Sequence, residues 1–229
     1  MSDGELLLLR HGEIASHRGD VPLTASGVLG ARQVGEAIGR RYGVPVRVLT
    51  SRTLRARQTG TALTEGIRAS GGAATGPADD DALRNPDMYV GGQRVDMVSS
   101  GQALAEQVSG LSPLACAALP FWRDFMPHPD RIQYWLDHPN PPGDDSRSVA
   151  RRILAGFAAT LFDSKDNAGR LVIGVTHSPI LRACARGALG DSGEPPVLTG
   201  LRITPRAGGL MVTFADLLAE QARSEGSWM

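Results

Sequence analysis

The stretch Glu5-Leu6-Leu7-Leu8-Leu9-Arg10-His11-Gly12-Glu13 sets an unbroken aliphatic run directly before a guanidinium, an imidazole and a glycine. Residues 5–9 read as a short strand that is apolar on both faces, the pattern of a strand covered by helices on two sides. Val46–Thr50 reads as a second strand, and Leu171–Thr176 as another all-apolar one. Between these strands the periodicity changes to that of helices. Thr24 reads as an N-cap, followed by Val28, Ala31, Val34, Ile38 and Tyr42 at helical spacing. A second helix is expected over 52–68, with Leu54, Ala62, Leu63 and Ile67 inward. Later helices are expected over 147–162 and 179–189, the latter with Pro179 in its first turn, where proline is tolerated best. Strands at 198–204 and 209–214 close the chain as a hairpin, while 71–76 reads as a loop with a weakly patterned third strand nearby. Short apolar strands alternating with amphipathic helices predict an α/β fold, a three-layer α/β/α sandwich with a mostly parallel sheet.

Composition bounds the function. The chain has 229 residues with 24 Lys+Arg against 24 Asp+Glu, so no global field draws it to nucleic acid or an anionic membrane. Any anion binding must therefore be local. This length can bury a core without disulfides or metals, and Cys116 and Cys184 read as small buried apolar residues. The longest run of large aliphatics, Leu6 to Leu9, is far short of the ~20 residues of a bilayer span. Asp3 and Glu5 precede it where a secretory signal carries positive charge, so the expected compartment is the cytoplasm.

The middle of the chain breaks the alternation. Five of eleven aromatics fall between Phe121 and Trp135, amid prolines 120, 127, 129, 139, 141 and 142. Residues 86–146 therefore read as a partly helical insertion over the sheet. Either Gly91-Gly92 and these aromatics form a lid over the site, or the aromatics give the insertion a small core of its own.

Three segments place polar groups directly after an apolar strand, where ligands bind in open α/β sheets. They are Arg10-His11-Gly12-Glu13, the arginine-rich stretch Ser51 to Thr59, and Thr176-His177-Ser178-Pro179. Neighbouring parallel strands lie ~4.8 Å apart, so His11 and His177 meet if their strands are adjacent. Arg10, Arg55 and the amides of the helix opening at Pro179 would then converge on one point. Arginine forks and helix N-termini are two standard ways to hold a phosphate.

These segments resemble the histidine phosphatase superfamily, the phosphoglycerate-mutase-like proteins. Arg10-His11-Gly12 resembles its Arg-His-Gly signature, and Leu23-Thr24-Ala25-Ser26-Gly27 its Leu-Thr-x-x-Gly segment. Ser51 to Thr59 is similar to Ser-Pro-Leu-x-Arg-Ala-x-Gln-Thr, with Arg52 in place of proline. Pro142-Gly143-Asp144-Asp145-Ser146 is similar to Pro-Gly-Gly-Glu-Ser, and Thr176-His177 matches the second histidine. The resemblance runs along most of the chain and implies one domain over residues 1–229, with the insertion or lid at about 86–146.

The resemblance implies that His11 is the nucleophile, forming a phosphohistidine that water then cleaves. Arg10, Arg55 and His177 would bind the phosphoryl oxygens, where transition-state charge is spread, with Gly12 and Ser178 in the substrate site. No metal or organic cofactor is required. The expected partner is a small phosphate ester, with no nucleic acid and no membrane, and a homodimer is compatible with this reading.

Two departures from the pattern matter. Where the family often has a phosphate-binding Asn, this chain has His17, which can still donate a hydrogen bond. Where the family commonly has a general-acid Glu after a Leu-Arg pair, Leu83-Arg84 is followed by Asn85, and an amide cannot protonate a leaving alkoxide. Asp87 is the candidate replacement, with Asp80, Asp81 and Asp96 behind it. The competing readings are a phosphoglycerate-mutase-type phosphotransferase, a phospho-ligand-binding module with weakened catalysis, and a metal site formed by His11, His17 and His177.

Overall fold

In a computed structural model of the chain, residues 4–16, 19–167 and 169–226 are described. The strand that opens the sequence, β1 (Glu5–Arg10), sits inside a six-stranded sheet. Leu6, Leu7, Leu8 and Leu9 have no exposed surface. Leu6 and Leu8 enter one hydrophobic cluster, and Leu7 and Leu9 another on the opposite face. This two-sided burial is what the uninterrupted leucine run demanded.

The sheet adds β2 (Val46–Thr50), β3 (Ala74–Asp79), β6 (Leu171–Thr176), β7 (Gly200–Arg206) and β8 (Gly209–Ala215), in spatial order β3-β2-β6-β1-β7-β8. A separate two-stranded hairpin joins β4 (Met88–Val90) to β5 (Gln93–Val95). β3, β2, β6 and β1 pair in parallel, and β7 runs antiparallel to both β1 and β8. The register that matters pairs Arg10 with Thr176, which sets His11 and His177 side by side at the carboxyl edge of the central strands.

One face is covered by α1 (Ala25–Arg41) and α2 (Leu54–Ala69), whose contact residues enter the cluster of Leu7 and Leu9. Thr24 caps α1 by accepting a hydrogen bond from the Gly27 amide at 2.9 Å. α2 starts two residues later than its periodicity predicts. The carboxylate of Asp20 accepts from the Leu54 amide at 2.8 Å, and Ser51–Arg52 is left outside the helix.

The opposite face is covered by short helices of the insertion, α3 (Gly101–Ala105), α4 (Pro113–Ala118), α5 (Pro120–Phe125) and α6 (Arg131–Asp137), followed by α7 (Ser146–Arg151), α8 (Ala159–Asp163) and α9 (Ser178–Leu189). A last helix, α10 (Leu217–Gly226), contacts α1. The aromatics do not build a core apart. Phe121, Trp122, Phe125 and Trp135 are buried in the same cluster as Leu6 and Leu8. The helix expected over 147–162 is present without a gap, but Arg152–Ala158 winds as a π-helix between α7 and α8. Arg152, at the start of that wider winding, donates to the Arg84 carbonyl at 2.8 Å and to Asp144 at 3.0 Å. Cys116 and Cys184 are free and buried. Among the described residues no helix is long and apolar enough to cross a membrane.

Candidate active site

The site grows from the two strand ends. The His11 amide donates to the Thr176 carbonyl at 3.0 Å, and the ring centroids of His11 and His177 are 5.4 Å apart. Nδ1 of His11 lies 2.8 Å from the Gly12 carbonyl oxygen, which can only accept. Nδ1 therefore carries the proton and Nε2 carries the lone pair. Nε of Arg55 donates to that Nε2 at 3.3 Å, while Nη2 of the same guanidinium reaches Nδ1 of His177 at 3.4 Å. The other nitrogen of His177, Nε2, lies 2.8 Å from the Ser51 hydroxyl. One arginine thus spans two imidazoles whose far sides are held by a carbonyl and a hydroxyl.

The stretch from Ser51 to Thr59 reaches the site at four places. Ser51 meets His177, and Arg55 meets both histidines. The Gln58 side chain accepts from the Leu23 amide at 2.8 Å. The Thr59 hydroxyl accepts from the Gly12 amide at 3.0 Å while donating to the Arg55 carbonyl at 2.7 Å. α2 therefore pins the Arg10-His11-Gly12 turn from below. Close approach requires small residues here: a Cβ on Gly12 would lie 2.9 Å from the Gly27 carbonyl oxygen, and one on Gly27 only 2.4 Å from that of Glu13.

Opposite charge is scarce inside this ring. His177 is buried, and burial first, then the neighbouring Arg55, His11 and Arg10, hold its pKa well below the ordinary imidazole value. Burial also lowers the pKa of Arg55, partly offset by the negative charges of Asp20 and Asp96. Arg10 turns its Nη1 to the Pro195 carbonyl at 2.6 Å and to Glu194 at 2.8 Å. Its Nε is buried with no hydrogen-bond partner among the described residues. A buried guanidinium N–H without an acceptor is the kind of group a bound anion satisfies.

Sequence reading assigned no role to Glu194, which joins three parts of the site. Its carboxylate takes Arg10, the Ser178 hydroxyl at 2.5 Å and the buried Arg182 at 3.2 Å. Arg182 continues to Asp130, the N-cap of α6, through two bonds of 2.8 and 2.9 Å. The first turn of α9, the site arginine and the insertion are thus tied by one chain of charges. Asp20, also unassigned from sequence, caps α2 and lies 3.6 Å from Arg55. Neither acid has a periodic neighbourhood that would mark it out. Only their places, one before the Leu23-Thr24 turn and one in the Pro-rich loop preceding β7, hint at a loop function.

Arg10, His11, Gly12, Arg55, His177 and Ser178 are brought together. His17 lies outside the described residues. Asp87 sits on the insertion, where Arg84 grips one of its oxygens at 2.9 and 2.7 Å and Arg94 takes the other. Those arginines outweigh burial and hold its carboxyl below the usual range, so it is an ionised member of an ion-pair cluster. A cleft of about 530 Å³ on the insertion is lined by Tyr89, Phe121, Trp122, Tyr134 and His138 among others, but by none of Arg10, His11, Arg55 and His177.

Residues 6–83 match the histidine phosphatase superfamily (branch 1), a stretch that holds Arg10, His11 and Arg55 but ends before His177. No curated protein matches the chain. Among solved structures, a mycobacterial glucosyl-3-phosphoglycerate phosphatase complexed with VO3 is similar at 20% identity and TM-score 0.57, over 93% of this chain and 97% of that one. A phosphoglycerate mutase from Bacillus anthracis str. Sterne is similar at 15% identity and TM-score 0.59, over 98% of both chains. A structure described as mycobacterial hydrolase 1 is similar at 18% identity and TM-score 0.59, over 93% of this chain and 96% of that one. These likenesses extend the shared fold well beyond residues 6–83.

Proposed function

On residues 6–83 this chain belongs to the histidine phosphatase superfamily, and from that footing we propose that it hydrolyses a small-molecule phosphate monoester through a phosphohistidine on His11. The observation that carries the reading is the single guanidinium of Arg55 spanning Nε2 of His11 and Nδ1 of His177, beside an Nε of Arg10 that has no partner among the described residues. A tetrahedral dianion entering there meets donors on several sides and a nucleophilic lone pair whose tautomer is already fixed.

In the first step Nε2 of His11 attacks phosphorus, the P–N bond forms, and the P–O bond to the leaving group breaks. Arg10 and Arg55 balance the charge on the equatorial oxygens. His177 has a second task. With Arg55 donating to its Nδ1, a neutral ring carries its proton on Nε2, facing Ser51. Binding an anion calls for the other tautomer, with Nδ1–H toward the phosphoryl group. The Ser51 hydroxyl can accept from Nε2 in the first state and donate to it in the second, so it serves both. In the second step water attacks phosphorus, the P–N bond breaks and phosphate leaves.

The substrate in this reading is a soluble phosphate ester in the cytoplasm, handled without nucleic acid or membrane. The test is phosphate release across a panel of phosphate esters with His11→Ala as the blank, together with acid-quench trapping of an acid-labile phosphoenzyme. Release by the wild type alone, with label on His11, supports it. Transfer of the label to a second alcohol without free phosphate would reassign the protein as a phosphotransferase.

A further inference from the structure

Each nitrogen of the Arg55 guanidinium faces a different group. Nε meets Nε2 of His11 at 3.3 Å, Nη2 meets Nδ1 of His177 at 3.4 Å, and Nη1 lies 3.6 Å from Oδ1 of Asp20. The first two contacts cannot persist through the reaction. The lone pair that attacks phosphorus is the one to which Arg55 Nε–H now donates, and Nδ1 of His177 must turn from accepting to donating when an anion enters. Only the Asp20 contact involves neither imidazole.

Asp20 occupies this place where a local cap was available. Thr53 stands at the N-cap position of α2, yet its side chain makes no capping bond, and its hydroxyl lies 3.2 Å from that of Ser51. The first turn of α2 holds no acid of its own. Instead the Leu54 amide donates to both oxygens of Asp20, at 2.8 and 3.0 Å, across 34 residues of sequence. A carboxylate there satisfies an open helix amide and faces the positive end of the helix dipole. Arg55 is the next residue, so a carboxylate fixed on the Leu54 amide is also fixed relative to the guanidinium. The same Oδ1 serves both contacts. The Arg55 side chain is 14% exposed and that of Asp20 55%, so the carboxylate lies on the solvent side of the guanidinium and its pull is partly screened.

We propose that Asp20 is a positioning residue, which holds Arg55 by Nη1 while Nε and Nη2 leave the two imidazoles and take oxygens of the entering phosphoryl group. The inference rests on the phosphatase reading above. On entry of the substrate, two N–H···N bonds are exchanged for two N–H···O bonds, and Nε2 of His11 is released toward phosphorus. On departure of phosphate the exchange reverses. The contact of Nη1 with Asp20 is common to both states, so the fork returns to one place rather than swinging into the space it vacates. No covalent step is added and Asp20 stays ionised throughout.

The experiment separates this role from capping and from bare charge. Asp20→Asn keeps an acceptor for the Leu54 amide but removes the charge facing Arg55, whereas Asp20→Ala removes both. The expected result for Asp20→Asn is a loss of about tenfold in kcat/KM on p-nitrophenyl phosphate and product inhibition by inorganic phosphate weakened about threefold. Its urea midpoint stays at the wild-type value, while that of Asp20→Ala falls. In an Arg55→Ala background Asp20→Asn should change kcat/KM by less than about twofold, because the residue it acts through is gone. Three results overturn the assignment: full activity in Asp20→Asn, which leaves Asp20 a cap only; phosphate inhibition unchanged or tighter, which leaves it a screened charge only; and an undiminished loss in the Arg55→Ala background. Failure of the wild type to exceed His11→Ala on every ester is a different outcome, because it removes the phosphatase reading and this inference with it.

Discussion

At the carboxyl ends of β1 and β6, two imidazoles and two guanidiniums are held in a site with few opposing charges. On the insertion that closes the other side of the sheet, Trp122, Phe125 and Trp135 are buried against the same leucines with no charge among them. The first region spends stability to hold polar groups out of water, and the second supplies it by removing apolar surface. The two should therefore respond oppositely to mutation. Rim substitutions should cost turnover and little folding energy, whereas insertion substitutions should do the reverse.

The sharpest test is Arg55→Ala. One guanidinium touches both imidazoles, so its loss is expected to lower kcat/KM by about a thousandfold, in the range for removing preorganised electrostatic stabilisation. Arg55→Lys should recover little, because an ammonium cannot span two acceptors with a planar fork. Denaturant unfolding of Arg55→Ala should give a stability within about 1 kcal/mol of wild type. A large loss of stability with activity retained would break the contrast. Trp122→Ala is the mirror experiment. The residue is 1% exposed, and truncation should cost about 3–5 kcal/mol in unfolding free energy while the folded fraction keeps its KM for substrate.

The same contrast predicts a pH dependence. Burial holds the pKa of His177 well below its ordinary 6.5, so the unfolded chain binds a proton there that the folded protein refuses. Its neutral form is fully accommodated above pH 6.5, and stability falls as the pH drops from 6.5 toward the depressed folded value. The slope from this residue is at most about 1.4 kcal/mol per pH unit. Urea unfolding between pH 7 and 5 should show that loss, and His177→Gln should flatten it. An unchanged slope in the variant would place the acid sensitivity elsewhere.

How far each region could be read from sequence follows from how its order is built. β1 and β6 are buried on both faces, so their apolar runs are continuous and their ends stand out, with His11 and His177 just beyond. Parallel pairing then brings those histidines together without further information. β3 was nearly unreadable because Ala74–Asp79 is an edge strand holding Gly76 and Pro77, with a register shift against β2. The insertion helices have five to seven residues, less than the window a 3.6-residue period needs to show itself. Asp87 stands out in sequence only by its nearness to Asn85, but the arginines that neutralise it include Arg94, brought in only by the hairpin. Glu194 was invisible for the same reason, since its meaning comes from residues 184, 16 and 12 positions away in Arg10, Ser178 and Arg182.

Glu194 gives the finest test, because it belongs to both regions. It is an anion beside the proposed phosphate site, and it also anchors the chain of charges that runs through Arg182 to Asp130 on the insertion. At 46% side-chain exposure its charge is screened by solvent, so the effect of removing it should be modest. Glu194→Gln keeps an acceptor for Ser178 but removes the negative charge facing Arg10. If its main effect is electrostatic, inorganic phosphate should bind about three- to tenfold more tightly as a product inhibitor, with kcat reduced by no more than a similar factor. If its main effect is to position Arg10 and the first turn of α9, phosphate binding should weaken and KM should rise. The first outcome is expected, since the 2.6 Å bond from Arg10 to the Pro195 carbonyl does not depend on the Glu194 charge.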